Sequence, residues 1–148
     1  MFDRLYAYPA RLELQPEGGF VVRFRDLPDA LTEGADRASA LAEGADCLSE
    51  ALAGRIARDE DIPAAGAIER GETLIAPEPT IALKAALHDA LREQGLKVAD
   101  LARRLAVDYR QAARLVDPKY PSKLTGLEEA LAALGCQVAI AIDARPAA

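Results

Sequence analysis

The sequence predicts an α+β protein. A small α/β domain with the order β-β-β-α-β comes first, and a mainly α-helical domain ending in a strand follows it. Three observations predict this. Apolar residues alternate with a period of two as far as Phe24, the spacing changes to every third or fourth residue after Asp36, and Pro77 and Pro79 separate that unit from a second stretch of helical spacing.

In the opening segment Tyr6, Tyr8, Ala10, Leu12 and Leu14 fall on one side, and Ala7, Pro9, Arg11, Glu13 and Gln15 on the other, as in a half-buried strand. Pro16-Glu17-Gly18-Gly19 supplies turn chemistry. Phe20, Val22 and Phe24 then resume the alternation, with Val21, Arg23 and Arg25 facing away, which makes a β-hairpin. After Asp26-Leu27-Pro28, the chain through Leu31 and Thr32 to Gly34 reads as a third, short strand or an extended loop. From Arg37 to about Ile56, Leu41, Ala45, Leu48, Leu52 and Ile56 recur at helical spacing behind Asp36, an N-cap residue. The charged stretch from Arg58 to Arg70, with Pro63 and Gly66 inside it, reads as a loop, and Glu72 to Ala76 as one more strand.

Two prolines in Ala76-Pro77-Glu78-Pro79-Thr80 disfavour helix before them, and Thr80 is positioned to cap the helix after them; the domains are therefore 1–78 and 81–148. A helix over 81–94 carries Leu83, Leu87, Ala90 and Leu91 on one face and closes at Gly95. Val98, Leu101, Ala102 and Leu105 mark the next helix, followed by a tight bend at Ala106-Val107. Asp108 caps a third helix, with Gln111 placed to return the bond, while Ala112, Leu115 and Val116 face inward and Tyr109, Arg110, Ala113 and Arg114 outward. A fourth helix starts at the capping box Thr125-Gly126-Leu127-Glu128, buries Leu127, Leu131 and Leu134, and stops at Gly135. In the segment from Gln137 to Asp143, Val138, Ile140 and Ile142 share one face of a final strand, which needs a partner.

An apolar fraction of 51% is enough to bury a core. The sequence has no apolar run of the roughly 18 residues a membrane span needs, and its N-terminus lacks the apolar stretch of a signal peptide, so a cytoplasmic protein is expected. Cys47 and Cys136 have no second Cys or His at metal-ligand spacing and read as small core residues; no cofactor is expected. The net charge of −6 conceals a division. Residues 1–80 hold 16 acidic and 8 basic side chains, residues 81–148 hold 8 and 10, and the segment 97–123 alone carries +4.

That basic segment coincides with the tight helix pair, and a basic patch on an acidic protein points to a polyanion. In a helix-turn-helix the second helix presents its N-terminal residues to base edges in the major groove while the first rests near the backbone. The DNA-binding candidates are Lys97, Arg103, Tyr109, Arg110, Ala113, Arg114, Lys119 and Lys123, with Arg110 and Arg114 suited to bidentate contact with guanine. A solvated basic face on a plain helical hairpin is the competing reading. Pairing of the last strand through Val138, Ile140 and Ile142 with a second copy would give a dimer, and with it two recognition helices for a two-fold operator.

GGFVVRFRDLPDALTEG followed by ADRASALAEGADCLSEAL resembles the N-terminal domain of the HicB antitoxins, and VADLARRLAVDYRQAARLVDPKYPSKLTGLEEALAALG is similar to the helix-turn-helix attached to one branch of that family. The resemblance implies a partial ribonuclease H-like fold for the first domain. It also implies binding and silencing of a HicA-type toxin, a small mRNA-cleaving protein, and repression of the operon encoding both. Carried over by position, Phe24, Asp26, Leu27 and Pro28 match the family's Phe-x-Asp-Leu-Pro signature and are candidates either for touching the toxin or for shaping the domain. Arg25 and Asp29 stand where that family commonly has Pro and Gly, and Ala106 where the turn usually has Gly. The acidic first domain fits an RNA-binding, hence basic, partner.

An enzyme is not expected. Asp26, Asp29 and Glu33 lie on one short loop with no second acidic element to complete a metal site, His88 has no catalytic partner at useful spacing, and no phosphate loop, nucleophile elbow or zinc signature occurs. Two other readings fit the same residues. One is a stand-alone repressor whose first domain binds a small ligand or oligomerises; the other is an antitoxin whose helical half serves dimerisation alone.

Overall fold

Gly18 and Gly19, at φ +94° and +79°, reverse the chain between β1 (Tyr8–Leu14) and β2 (Phe20–Phe24), where the Gln15 N–H donates to the Gly19 carbonyl at 2.9 Å. The computed structural model describes residues 3–144. β3 (Leu31–Gly34) follows as a true strand on β2, and β4 (Thr73–Ile75) adds to the other side of β1, giving a fully antiparallel sheet in the order β3-β2-β1-β4. The register pairs Ala10 with Phe24, Leu12 with Val22 and Tyr8 with Ile75, so the expected apolar face is continuous across three strands. Alternation fails at the ends of β1. Leu14 is 71% exposed, and Ala7 and Pro9, assigned to the outer face, are buried.

That face is covered by α1 (Arg37–Ala57), whose Ala40, Gly44, Leu48, Leu52 and Ile56 are buried. The Asp36 cap forms as expected: its carboxylate accepts from the Ser39 N–H at 2.7 Å while Ser39 Oγ accepts from the Asp36 N–H. Those bonds hold the Asp36 carboxyl below the usual range. Residues 58–72 contain no helix or strand, as expected.

The helical half comprises α2 (Pro79–Glu93), α3 (Val98–Leu105), α4 (Tyr109–Val116) and α5 (Leu124–Ala133). Three cap assignments change. α2 begins with Pro79 in its first turn and Glu78 as cap, and the Thr80 hydroxyl bonds the Glu78 side chain instead of an amide. α5 begins one residue before Thr125, capped by Lys123, so the Thr125–Glu128 pair lies inside the helix. At α4 only half of the box is made: Asp108 accepts from the Gln111 N–H at 2.8 Å. Gly95 and Gly135, at φ +65° and +78°, end α2 and α5 as expected.

α2 carries more than the single expected face. Its Ile81 and Ala85 join the sheet core with Tyr8, Phe24, Leu27, Leu48 and Leu52, whereas Leu87, Ala90 and Leu91 join Leu101, Ala112 and Leu131 in a second core. Polar bonds pin it further. Asp89 accepts from Tyr6 Oη at 2.6 Å and Arg4 Nη1 at 2.7 Å, and the His88 ring meets the Glu60 carbonyl at 2.8 Å, a structural role. Arg92 bridges Asp59 and Asp61. Residues 137–144 form no strand in the single chain, because a strand there has no neighbour to pair with. Both cysteines are free and half-buried against the two cores.

Candidate functional site

The bend between α3 and α4 turns on Ala106, which adopts φ +54°, ψ +44° and donates its N–H to the Arg103 carbonyl, while the Val107 N–H reaches the Ala102 carbonyl. The turn therefore takes the left-handed geometry that glycine usually supplies, with a Cβ present. Leu101, Ala102 and Ala112 are buried between the two helices, and the small Ala102 and Ala112 allow the close approach. Leu115 and Val116 are only half-buried.

The outer face of this pair is cationic. Lys97, Arg103, Tyr109, Arg110, Arg114, Lys119 and Lys123 are exposed and Ala113 is half-buried. Arg103 is tied to Asp100, whose carboxyl is held low chiefly by the Lys97 N–H and further by Arg103. The Arg114 guanidinium lies 5.1 Å over the Tyr120 ring. Among the described residues, Lys97, Arg110, Arg114, Lys119 and Lys123 take part in no ion pair. Apart from Arg103, the cationic candidates are thus exposed and without an ion-pair partner among the described residues.

The Phe-x-Asp-Leu-Pro residues are placed differently. Phe24 and Leu27 are fully buried in the sheet core, Asp26 is half-buried and accepts from the Gly66 N–H at 2.9 Å, and Pro28 alone is exposed. Three of the four therefore shape the domain. Arg25 reaches both Glu72 oxygens at 3.0 Å and the Ala67 carbonyl at 2.8 Å, which holds the Glu72 carboxyl down at about 2. Asp29 pairs with Arg55 at 3.2 Å. The two departures from the resembled pattern are thus a brace on the 63–72 loop and one on α1. Val138 packs against the second core, while Ile140 and Ile142 are 73% and 87% exposed.

Sequence reasoning passed over Lys84, buried in α2, with its Nζ donating to the carbonyls of Arg114, Asp117 and Tyr120. The signal was present: Lys84 sits three residues from Ile81 and three from Leu87, on a stripe that is otherwise apolar. No group of three or more His, Cys, Asp or Glu side chains suited to a metal occurs among the described residues, and none of the described helices is long and apolar enough to cross a membrane.

The arrangement is that of a mixed α+β protein in which a sheet unit and a helical unit share one helix. Residues 7–86 match the family of HicB-like antitoxins of bacterial toxin–antitoxin systems, and the chain belongs to that family. It is 30% identical over 136 residues to Antitoxin HicB 1 of Photorhabdus laumondii, covering 92% of this chain and 86% of the relative. It is 29% identical over 133 residues to Antitoxin HicB of Escherichia coli K12, covering 90% and 96%, and 32% identical over 135 residues to Antitoxin HicB of Pseudomonas fluorescens, covering 90% and 92%. The family is one of antitoxins and not of enzymes.

Proposed function

We propose that this chain is the antitoxin of a HicA/HicB-type pair. Residues 1–78 bind and neutralise a small mRNA-cleaving toxin in the cytoplasm, and residues 81–148 bind operator double-stranded DNA and repress the shared operon. The observation that carries the DNA half is that Arg110, Arg114, Lys119 and Lys123, on α4 and the loop after it, are exposed without a carboxylate partner among the described residues. Arg110 in the first turn and Arg114 in the last turn of α4 contact base edges, Tyr109 and Ala113 lie beside them, and Lys97, Arg103, Lys119 and Lys123 contact phosphates. For the toxin half, the sheet unit offers to a basic protein Glu33, Glu43, Asp46 and Glu50, exposed and in no ion pair among the described residues.

A dimer formed through Val138, Ile140 and Ile142 would cover the two exposed isoleucines and set two α4 helices for half-sites roughly 34 Å or a multiple apart, with a tetramer as the larger assembly. Sedimentation at micromolar concentration checks this, and a monomer alone would sink it. The deciding test of function is a pull-down from the chain's own cells, followed by an RNA-cleavage assay of any small basic protein recovered. Suppression of its RNase activity by this chain is expected. DNA binding without such a partner would leave a stand-alone repressor.

A further inference from the structure

Lys84 lies on α2, between the contribution of that helix to one core and its contribution to the other. It is 1% exposed. Two of its three carbonyl partners, Arg114 and Asp117, close the last turn of α4, where carbonyls lack helical donors and the dipole end is negative. The third, Tyr120, is three residues on, so the chain is wound around the ammonium. Other bonds tighten the same loop: the Tyr120 N–H reaches the Asp117 carbonyl at 3.2 Å, the Lys119 N–H reaches Asp117 Oδ1 at 2.9 Å, and Ser122 Oγ donates to the Arg114 carbonyl at 3.4 Å.

None of the ion pairs among the described residues involves Lys84. Burial holds its ammonium below the usual lysine range, and the Asp117 charge offsets only part of that. A buried methionine would fill similar volume without desolvating a charge. What the ammonium supplies instead is a three-pronged fixed point for the path from α4 to α5, the stretch that carries Lys119 and Lys123.

We infer that Lys84 is a positioning residue for nucleic-acid recognition. By fastening the Arg114, Asp117 and Tyr120 carbonyls to α2, it sets where Lys119 and Lys123 stand relative to Arg110 and Arg114. The inference rests on the DNA-binding function proposed above.

The test compares the full-length chain with Lys84→Met and Lys84→Ala. The probe is duplex DNA from upstream of the chain's own reading frame, titrated at several salt concentrations, with hydrogen exchange followed in both halves. Binding is expected to weaken about tenfold or more, and the slope of log K against log salt to become shallower by about 2 as the phosphate contacts of Lys119 and Lys123 are lost. Amides of residues 117–123 should exchange faster while those of β1 and β2 keep their protection. Where Lys84→Met does not fold, Lys84→Ala carries the test, because its void admits water to the three carbonyls. Wild-type affinity and slope in a folded variant overturn the assignment. So does lost protection in β1 and β2, which would make Lys84 a general stabiliser. A wild-type chain that binds no DNA removes the DNA-binding function itself, and the assignment with it.

Discussion

In the sheet unit, Arg23 bonds Glu13, Arg25 bonds Glu72, Arg55 bonds Asp29 and Arg58 bonds Glu60. In α4 and the loop after it, Arg110, Arg114, Lys119 and Lys123 meet no carboxylate among the described residues. On the sheet unit Glu33, Glu43, Asp46 and Glu50 are exposed and form no ion pair among the described residues. The four paired arginines of the first half brace the fold, whereas Arg110, Arg114, Lys119 and Lys123 of the second hold no carboxylate among the described residues. Net charge alone would not separate these uses; pairing does.

The largest effects should come from opening either of the two cores that α2 joins. Leu48→Ala in the sheet core and Leu131→Ala in the helical core remove fully buried side chains and should each destabilise by about 2–5 kcal/mol. With α2 in both cores, each is expected to shift a single cooperative urea transition. Two separated transitions would show that the halves melt independently.

Next in size is the contrast among the unpaired cations. Arg110→Ala and Arg114→Ala should each weaken operator binding by about 1–3 kcal/mol and relax preference at one base pair, whereas Lys119→Ala should weaken all sequences alike and lower the salt slope by about 1. Unchanged affinity in the double arginine variant would leave the helical half to dimerisation.

A smaller effect, screened because Arg25 is partly in solvent, belongs to the Arg25–Glu72 brace. The folded Glu72 carboxyl titrates at about 2 against an ordinary 4.5, so its contribution is complete above about 4.5 and is lost as pH falls towards 2. Urea midpoints of wild type and Glu72→Gln should therefore differ at pH 7 and converge near pH 2. The smallest change is Ala106→Gly, which relieves left-handed strain at φ +54° but loosens the unfolded chain, for a net gain of about 0.5–1 kcal/mol in thermal melts.

What was legible in the sequence is what the chain decides locally. The Asp36 cap, the Gly18-Gly19 turn, the glycines that end α2 and α5, and the outward residues of α4 each follow from a few neighbouring residues. The burial of Phe24 was also legible, since it alternates with Phe20 and Val22. Contacts between distant residues were not. Asp89 meets Arg4 and Tyr6 across more than eighty residues, and Lys84 finds its carbonyls thirty or more residues away. Periodicity marks which side of a helix is buried but not that a cation on that side has three acceptors waiting. The start of α5 also moved: Thr125 has cap chemistry, yet the cap position falls two residues earlier, at Lys123.

Because Ile81 and Ala85 complete the sheet core, the two halves are not equally easy to lose. A protease trimming from the C-terminus as far as Gly95 would strip the cationic surface and leave the acidic unit closed, while a cut ahead of Pro79 would open its core to water. The sheet core therefore outlasts loss of the chain beyond Gly95 but not loss of α2.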